Sequence, residues 1–108
     1  MGQIRDGQKK VAVAGTRERL VSSSTPAMWV KLSSLPTNAG ANAALWDVVV
    51  GGSTVVQAPA SRRGVPIDPV SSFEKEIGQF IPGPIDLTDI WLDVGTANNG
   101  ACFIYMEP

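Results

Sequence analysis

The stretch FIPGPIDLTDIWLDVGTANNGACFIYM, Phe80 to Met106, decides the fold. Two apolar runs, Ile90–Val94 and Ala101–Met106, flank Gly95-Thr96-Ala97-Asn98-Asn99-Gly100, a loop rich in residues that tolerate positive φ. Ahead of the first run stands Pro82-Gly83-Pro84, which suits neither a helix interior nor a central strand and reads as a turn. Turn, strand, loop and returning strand make a closing β-hairpin and place the C-terminal run inside a sheet. The register of Ile90–Val94 on Ala101–Met106 stays open, because a one-residue slip exchanges Phe103 and Tyr105 with Cys102 and Ile104 between faces.

The pattern upstream is similar. Met28 to Ser33 alternates, with Met28, Val30 and Leu32 on one face and Trp29, Lys31 and Ser33 on the other. Pro36-Thr37-Asn38-Ala39-Gly40 breaks that strand. Leu45 to Val50 is a second strong strand, with Trp46, Val48 and Val50 alternating with Leu45, Asp47 and Val49. Gly51-Gly52-Ser53 has the composition of a tight turn, from which Thr54-Val55-Val56 returns. Val11–Ala14 is a short strand candidate, and Thr16–Leu20 suits a strand or a single turn. Gln57–Gly64 is a polar, exposed loop, and the two prolines in Val65–Val70 confine it to an edge or a loop. Ser72–Ile77 is compatible with a strand or a helical turn.

Eight prolines and eleven glycines leave no room for ordinary helices in the 108 residues. Six to eight short strands at about ten-residue spacing predict an all-β fold, an antiparallel β-sandwich, jelly-roll-like or a small barrel. Residues 1–10 are polar and read as a flexible N-terminal arm, leaving 11–108 as a single sandwich domain. A chain of this length buries roughly 65% of its unfolded surface, enough for one thin core without disulfides. The single cysteine, Cys102, lies in an apolar run and reads as a small buried hydrophobe. No run approaches the ~20 apolar residues of a membrane span, so no membrane association is expected.

The net charge of −1 hides an asymmetry. Residues 1–31 carry Arg5, Lys9, Lys10, Arg17, Arg19 and Lys31 against Asp6 and Glu18, a balance of +4. Residues 68–108 carry seven acids against Lys75, a balance of −6. For any single residue the distribution reads first as solvated surface; the sharper reading is a basic N-terminal arm that docks on an acidic surface of a neighbouring copy or partner. Without a concentrated basic patch, nucleic-acid binding is not expected.

Chemistry is harder to find. The chain has no histidine, which removes the commonest general base and zinc ligand, and it shows no G-x-S-x-G or P-loop spacing. Asp86, Asp89 and Asp93 are the only carboxylate cluster to consider, and turn-forming and edge-charging roles explain all three better than catalysis or metal binding. No catalytic residue, cofactor or metal is expected. The candidate partner-binding residues are Arg5, Lys9, Lys10, Arg17 and Arg19, the loop pair Arg62 and Arg63, and two tryptophans, Trp29 and Trp91. Both tryptophans fall on the less apolar face of their strands. They suit a second packing layer or subunit interface, and alternatively a row of aromatics that stacks on sugar rings.

Phe80-Ile81-Pro82, Asp86-Leu87, Ile90-Trp91-Leu92-Asp93, Asn99-Gly100 and Tyr105, in that order, resemble the ending of many small tailed-bacteriophage virion proteins. Val30-Lys31-Leu32, Asn42 and Val48-Val49-Val50-Gly51-Gly52-Ser53-Thr54-Val55 resemble the preceding strand and hairpin of the same proteins. The resemblance spans roughly residues 15 to 106 and carries no active site. It implies a small β-sandwich in the virion, without enzymatic activity: a capsid decoration or cement protein, a head or tail accessory, or a fibre-associated module. The implied partners are the major capsid protein or other virion proteins, with a homo-oligomer, trimer or dimer, and carbohydrate in the fibre case. The implied location is the virion surface, after synthesis in the bacterial host's cytoplasm.

Overall fold

The computed structural model of the chain describes residues 2–35, 47–67 and 79–108. The expected break at Pro36–Gly40, Trp46 and the undecided Ser72–Ile77 lie outside those residues. Eight strands follow in chain order: β1 (Ile4–Lys10), β2 (Glu18–Arg19), β3 (Pro26–Ser34), β4 (Val48–Gly51), β5 (Val65–Pro66), β6 (Gln79–Asp86), β7 (Trp91–Val94) and β8 (Gly100–Met106). Short 3-10 turns occupy Pro59–Ser61 and Leu87–Asp89.

β1 pairs with β8, β2 with β7, β3 with β6 and β4 with β5, all antiparallel. The first four strands therefore meet the last four in reverse order, as one long double ribbon bent at the β4–β5 connection. Winding that ribbon adds the β3–β8 and β4–β7 pairings. Two four-stranded sheets result, sheet A in the order β1-β8-β3-β6 and sheet B in the order β2-β7-β4-β5. This is the jelly-roll arrangement of a β-sandwich, as the strand spacing predicts.

The core lies between the sheets. β3 sends Val30 and Leu32 inward, β8 sends Ala101 and Phe103, and sheet B answers with Val48, Val50, Leu92 and Val94. Each valine, leucine or phenylalanine among them, removed from water, contributes about 1.5–3 kcal/mol. Val11, Leu20, Leu87 and Ile90, which lie at strand ends and turns, close the core along its rims.

Several expectations change. First, Ile90–Val94 and Ala101–Met106 form no hairpin, because β7 belongs to sheet B and β8 to sheet A. The loop between them crosses from one layer to the other. It is held there by Asn98, whose N–H donates to Val11 O and whose φ is +70°, and by Asn99, whose carbonyl accepts from Val11 N–H. Second, Thr54-Val55-Val56 does not return along β4. The tight turn exists, with Val55 N–H donating to Gly52 O at 3.0 Å, but Val56 then makes only a bridge to Arg63. The partners of β4 are β5 and β7.

Third, the expected arm is a strand. Residues 4–10 run along β8 from Ile4 opposite Met106 to Lys10 opposite Gly100. Polar composition hides this because β1 is an edge strand whose side chains are mostly exposed. Its contribution comes through the backbone and through Gly7, where an added Cβ would stand 2.7 Å from the Phe103 ring. The ring lies across the glycine, the packing by which an aromatic shields a strand glycine.

Pro82-Gly83-Pro84 also differs from the expected turn. It runs within β6, the outer strand of sheet A, where missing N–H groups cost no ladder bond. The pairing with β3 shifts register between Ala27 and Trp29, so Ala27 is buried and Met28 is turned out to solvent. Gly83 is pressed against this bulge: a Cβ there would fall within van der Waals overlap of Met28 O. Met28 thus leaves the core face that simple alternation assigns to it.

Removal of residues 2–10 is expected to destabilise the whole sandwich, lowering the melting temperature by roughly 10 °C or more or preventing folding. Gly7→Val is the milder version, costing about 1–3 kcal/mol by overpacking against Phe103. Circular dichroism melts test both. A truncated protein that melts with the intact one shows that β1 contributes nothing to the fold.

Candidate functional site

Three basic residues, Lys9, Arg17 and Arg19, gather at one end of the sandwich. Inward-facing Lys9 crosses from β1 to β2, where its Nζ donates to Glu18 Oε1 at 2.8 Å. Glu18 Oε2 accepts from Ala12 N–H at 3.0 Å. These two bonds, the Lys9 bond foremost, hold the Glu18 carboxyl below its ordinary pKa. The ion pair fastens the edge of sheet A to the edge of sheet B. On the outer face of sheet B, Arg19 stands opposite Trp91, its guanidinium carbon 5.1 Å from the indole centroid. That is a cation–π contact of about 0.5–1 kcal/mol at an exposed site.

Lys9, Arg17, Arg19 and Trp91 line one groove with Ser22, Ser23 and Thr25. The fold thus brings together four of the nine candidate residues, while Lys10, the exposed last residue of β1, is not among the groove's lining. The groove offers cationic groups, hydroxyls and an aromatic face that Arg19 partly covers.

The other candidates lie elsewhere. Arg5 pairs with Glu107 at 3.2 Å, beside the first residues of β1. Arg62 Nε donates to Gln57 O at 3.2 Å, and the Arg63 backbone bridges to Val56. Trp29 is on the outer face of sheet A, tilted 33° to Phe80 with ring centroids 5.9 Å apart. Trp29 and Trp91 are on different sheets, so these two tryptophans form no aromatic row.

Sequence reasoning missed two features. One is a buried polar cluster under the β4–β5 loop. Asp93, expected at an edge, is 3% exposed; its Oδ2 accepts from Gln57 N–H at 2.7 Å and its Oδ1 from Val94 N–H at 3.0 Å. Asp47, 2% exposed, accepts from Asn99 Nδ2 at 2.6 Å and Thr96 Oγ1 at 3.1 Å. Asp93 and Val49 stand opposite each other on the outer face of sheet B, and the loop covers both. The expected exposed loop, Gln57–Gly64, is therefore packed at Gln57, two residues after the buried Val55. The available signal was a single charge inside each of two valine-rich runs, Asp47-Val48-Val49-Val50 and Leu92-Asp93-Val94. Both carboxylates are occupied in holding backbone and side-chain donors. Among the described residues no buried side-chain N or O lacks a partner, and no group of three His, Cys, Asp or Glu converges to hold a metal ion.

The other is the outer face of sheet A. Register places Asp6, Ile104, Lys31 and Phe80 in one cross-strand row, and Ile4, Met106, Trp29 and Pro82 in the next. Ile4, Ile104 and Phe80 are 55%, 42% and 54% exposed. Cys102, expected to be buried, is on this outer face, half-buried and 3.5 Å from Ser33 Oγ. Inner and outer residues alternate along β8, and the register puts Phe103 inside and Cys102 outside.

Asp86 behaves as the turn residue it was expected to be. It accepts from Ser24 Oγ, Thr25 N–H, Thr88 N–H and Thr88 Oγ1, joining the β2–β3 loop to the turn after β6. The Ser24 bond is the leading cause of a pKa far below the ordinary 3.8. A depressed folded-state pKa contributes stability that is complete above the ordinary value and is lost as pH falls below it. Asp86→Asn should therefore flatten the fall of unfolding free energy between pH 4 and about pH 2. An unchanged acid limb in urea titrations excludes that role. Asp93→Ala leaves two buried N–H donors unmatched and is expected to cost about 1–3 kcal/mol for each, read as a lower urea midpoint at neutral pH.

Compared with protein-family models, curated proteins and solved structures, the chain matches none.

Proposed function

We propose that this chain is a non-enzymatic structural protein of a bacteriophage virion, a decoration or cement protein seated on the capsid exterior. The observation that carries the reading is the basic end of the sandwich, where Lys9, Arg17 and Arg19 line one groove with Trp91. Among the described residues, three acids of the C-terminal segment are engaged within the chain. Asp93 is buried, Glu107 pairs with Arg5, and Asp86 is bonded to Ser24, Thr25 and Thr88. Arg17, exposed at the rim of this groove, is therefore suited to a partner's acidic surface, the arrangement that steers and orients association. The resemblance to phage virion proteins supplies the partner, the major capsid protein. A rigid jelly roll, fastened edge to edge by Lys9 and Glu18, is a suitable body for such a clamp.

Arg17→Glu combined with Arg19→Glu should lower occupancy on purified particles by tenfold or more, and rising salt should weaken wild-type binding. Arg62→Glu with Arg63→Glu, on the β4–β5 loop, should leave occupancy close to wild type. Equal occupancy for all three proteins rules out the basic end as the docking surface.

A second reading is a carbohydrate- or receptor-binding module of a phage tail or fibre. It is favoured by the indole of Trp91 in a groove with Ser22, Ser23 and Thr25. A glycan array separates the two readings, because only this one requires saturable sugar binding that Trp91→Ala abolishes.

A further inference from the structure

We infer that the open edge of sheet A, strand β1, pairs antiparallel with β1 of a second copy, with Gln8 on the two-fold axis. The inference goes beyond capsid binding and does not depend on it. The sheets end in β1 and β6 on one layer and in β2 and β5 on the other, and only β1 suits a further neighbour. β6 carries Pro82 and Pro84, which lack N–H groups, and β2 and β5 have 2 residues each. β1 has 7 residues, no proline and an unbroken register along β8. An edge of that length, with its outward backbone groups unmet, is a template for another strand.

The alternation of the ladder decides what this edge offers. Gln3 O accepts from Glu107 N–H at 2.8 Å, and Val11 N–H donates to Asn99 O at 2.9 Å. In the register of β1 on β8, the odd-numbered residues therefore turn their backbone groups to β8. Ile4, Asp6, Gln8 and Lys10 turn theirs outward, and all of these side chains are exposed. With Gln8 opposite the partner's Gln8, Asp6 falls opposite the partner's Lys10, and Lys10 opposite the partner's Asp6. Each of these pairs exchanges both of its N–H···O=C bonds, and sheet A continues from one copy into the other. Charged residues on an edge strand ordinarily oppose such pairing. Here they match, and neither Asp6 nor Lys10 makes a side-chain hydrogen bond or ion pair to another described residue. Moving the axis to Gly7 sets Arg5 against the partner's Lys9, and moving it to Lys9 sets Lys9 against the partner's Lys9. Like charges directly opposite are destabilising, so the charge pattern selects the register centred on Gln8. It also selects a second copy as the occupant, because one strand carries both members of the pair, as an isologous interface requires.

Light scattering on the full chain should show a dimer at about 100 µM. Hydrogen exchange at that concentration should find the N–H groups of Asp6, Gln8 and Lys10 protected, and dilution to the monomer should release them. Gln8→Pro deletes an outward N–H and puts its ring where the partner's carbonyl must come, so it should abolish the dimer without breaking a bond to β8. Asp6→Lys is the gentler variant, an exposed exchange that should weaken association by about tenfold or more. Adding Lys10→Asp to it should restore the dimer, and melting temperatures check that each variant is folded. A monomeric wild type at that concentration overturns the inference. So does a dimer in which those N–H groups exchange freely, one indifferent to Asp6→Lys, or a double exchange that fails to restore association. No capsid is present in these measurements and Arg17 and Arg19 stay unchanged, so their outcome and that of the particle-binding assay are separable.

Discussion

The structure depends on the position of β8, which is hydrogen-bonded to β1 along one edge and to β3 along the other. No other strand joins the two ends of the described chain so directly. β1 holds residues 4–10, β3 holds 26–34 and β8 holds 100–106, so sheet A exists only once distant segments meet. β7 does the same for sheet B, between β2 and β4. Each of these strands is laid against a sequence-distant neighbour, which makes this a high-contact-order fold with no self-sufficient local unit. The closing stretch is therefore central for a reason other than a local hairpin. It supplies the middle of both layers.

Sheet B carries an unusual load on its outer side. Val49 and Asp93 face away from the core and are nevertheless buried, because the β4–β5 loop lies over them. A buried carboxylate is tolerated only where donors replace lost water. Asp93 takes two backbone N–H groups, and Asp47 takes Asn99 and Thr96. The same bonds that satisfy these acids pin the loop at Gln57 and the β7–β8 crossover at Asn99. Polar groups thus act here as fasteners between irregular segments, while the apolar core holds the two sheets together.

Three surfaces remain for function, and each has a different character. The outer face of sheet B is occupied in part by its own loop. The basic end collects cations, hydroxyls and Trp91 around a groove. The outer face of sheet A is apolar, with one acid and one base flanking Ile104.

Much of the fold was legible in the residues. Period-two alternation in Met28–Ser33, punctuation by glycine and proline, and the absence of helical periodicity all follow from local sterics and burial, and they specify an all-β sandwich. The turn role of Asp86 was equally local, since its acceptors reach donors only two residues away as well as across the loop. The candidate site was less legible. Lys9, Arg17, Arg19 and Trp91 were singled out together with Arg5, Trp29, Arg62 and Arg63, and nothing in their spacing separates the two groups. Backbone hydrogen bonds are the same for every residue pair, so composition cannot say which strand lies beside which. Hence the polar segment 4–10 could not be told from an arm, nor β7 and β8 from a hairpin. The sequence by itself determined strands, turns and the need for a two-layer core. Only the tertiary structure decided strand partners and register, and with them which side chains meet on a surface, because those depend on contacts between residues far apart in the chain.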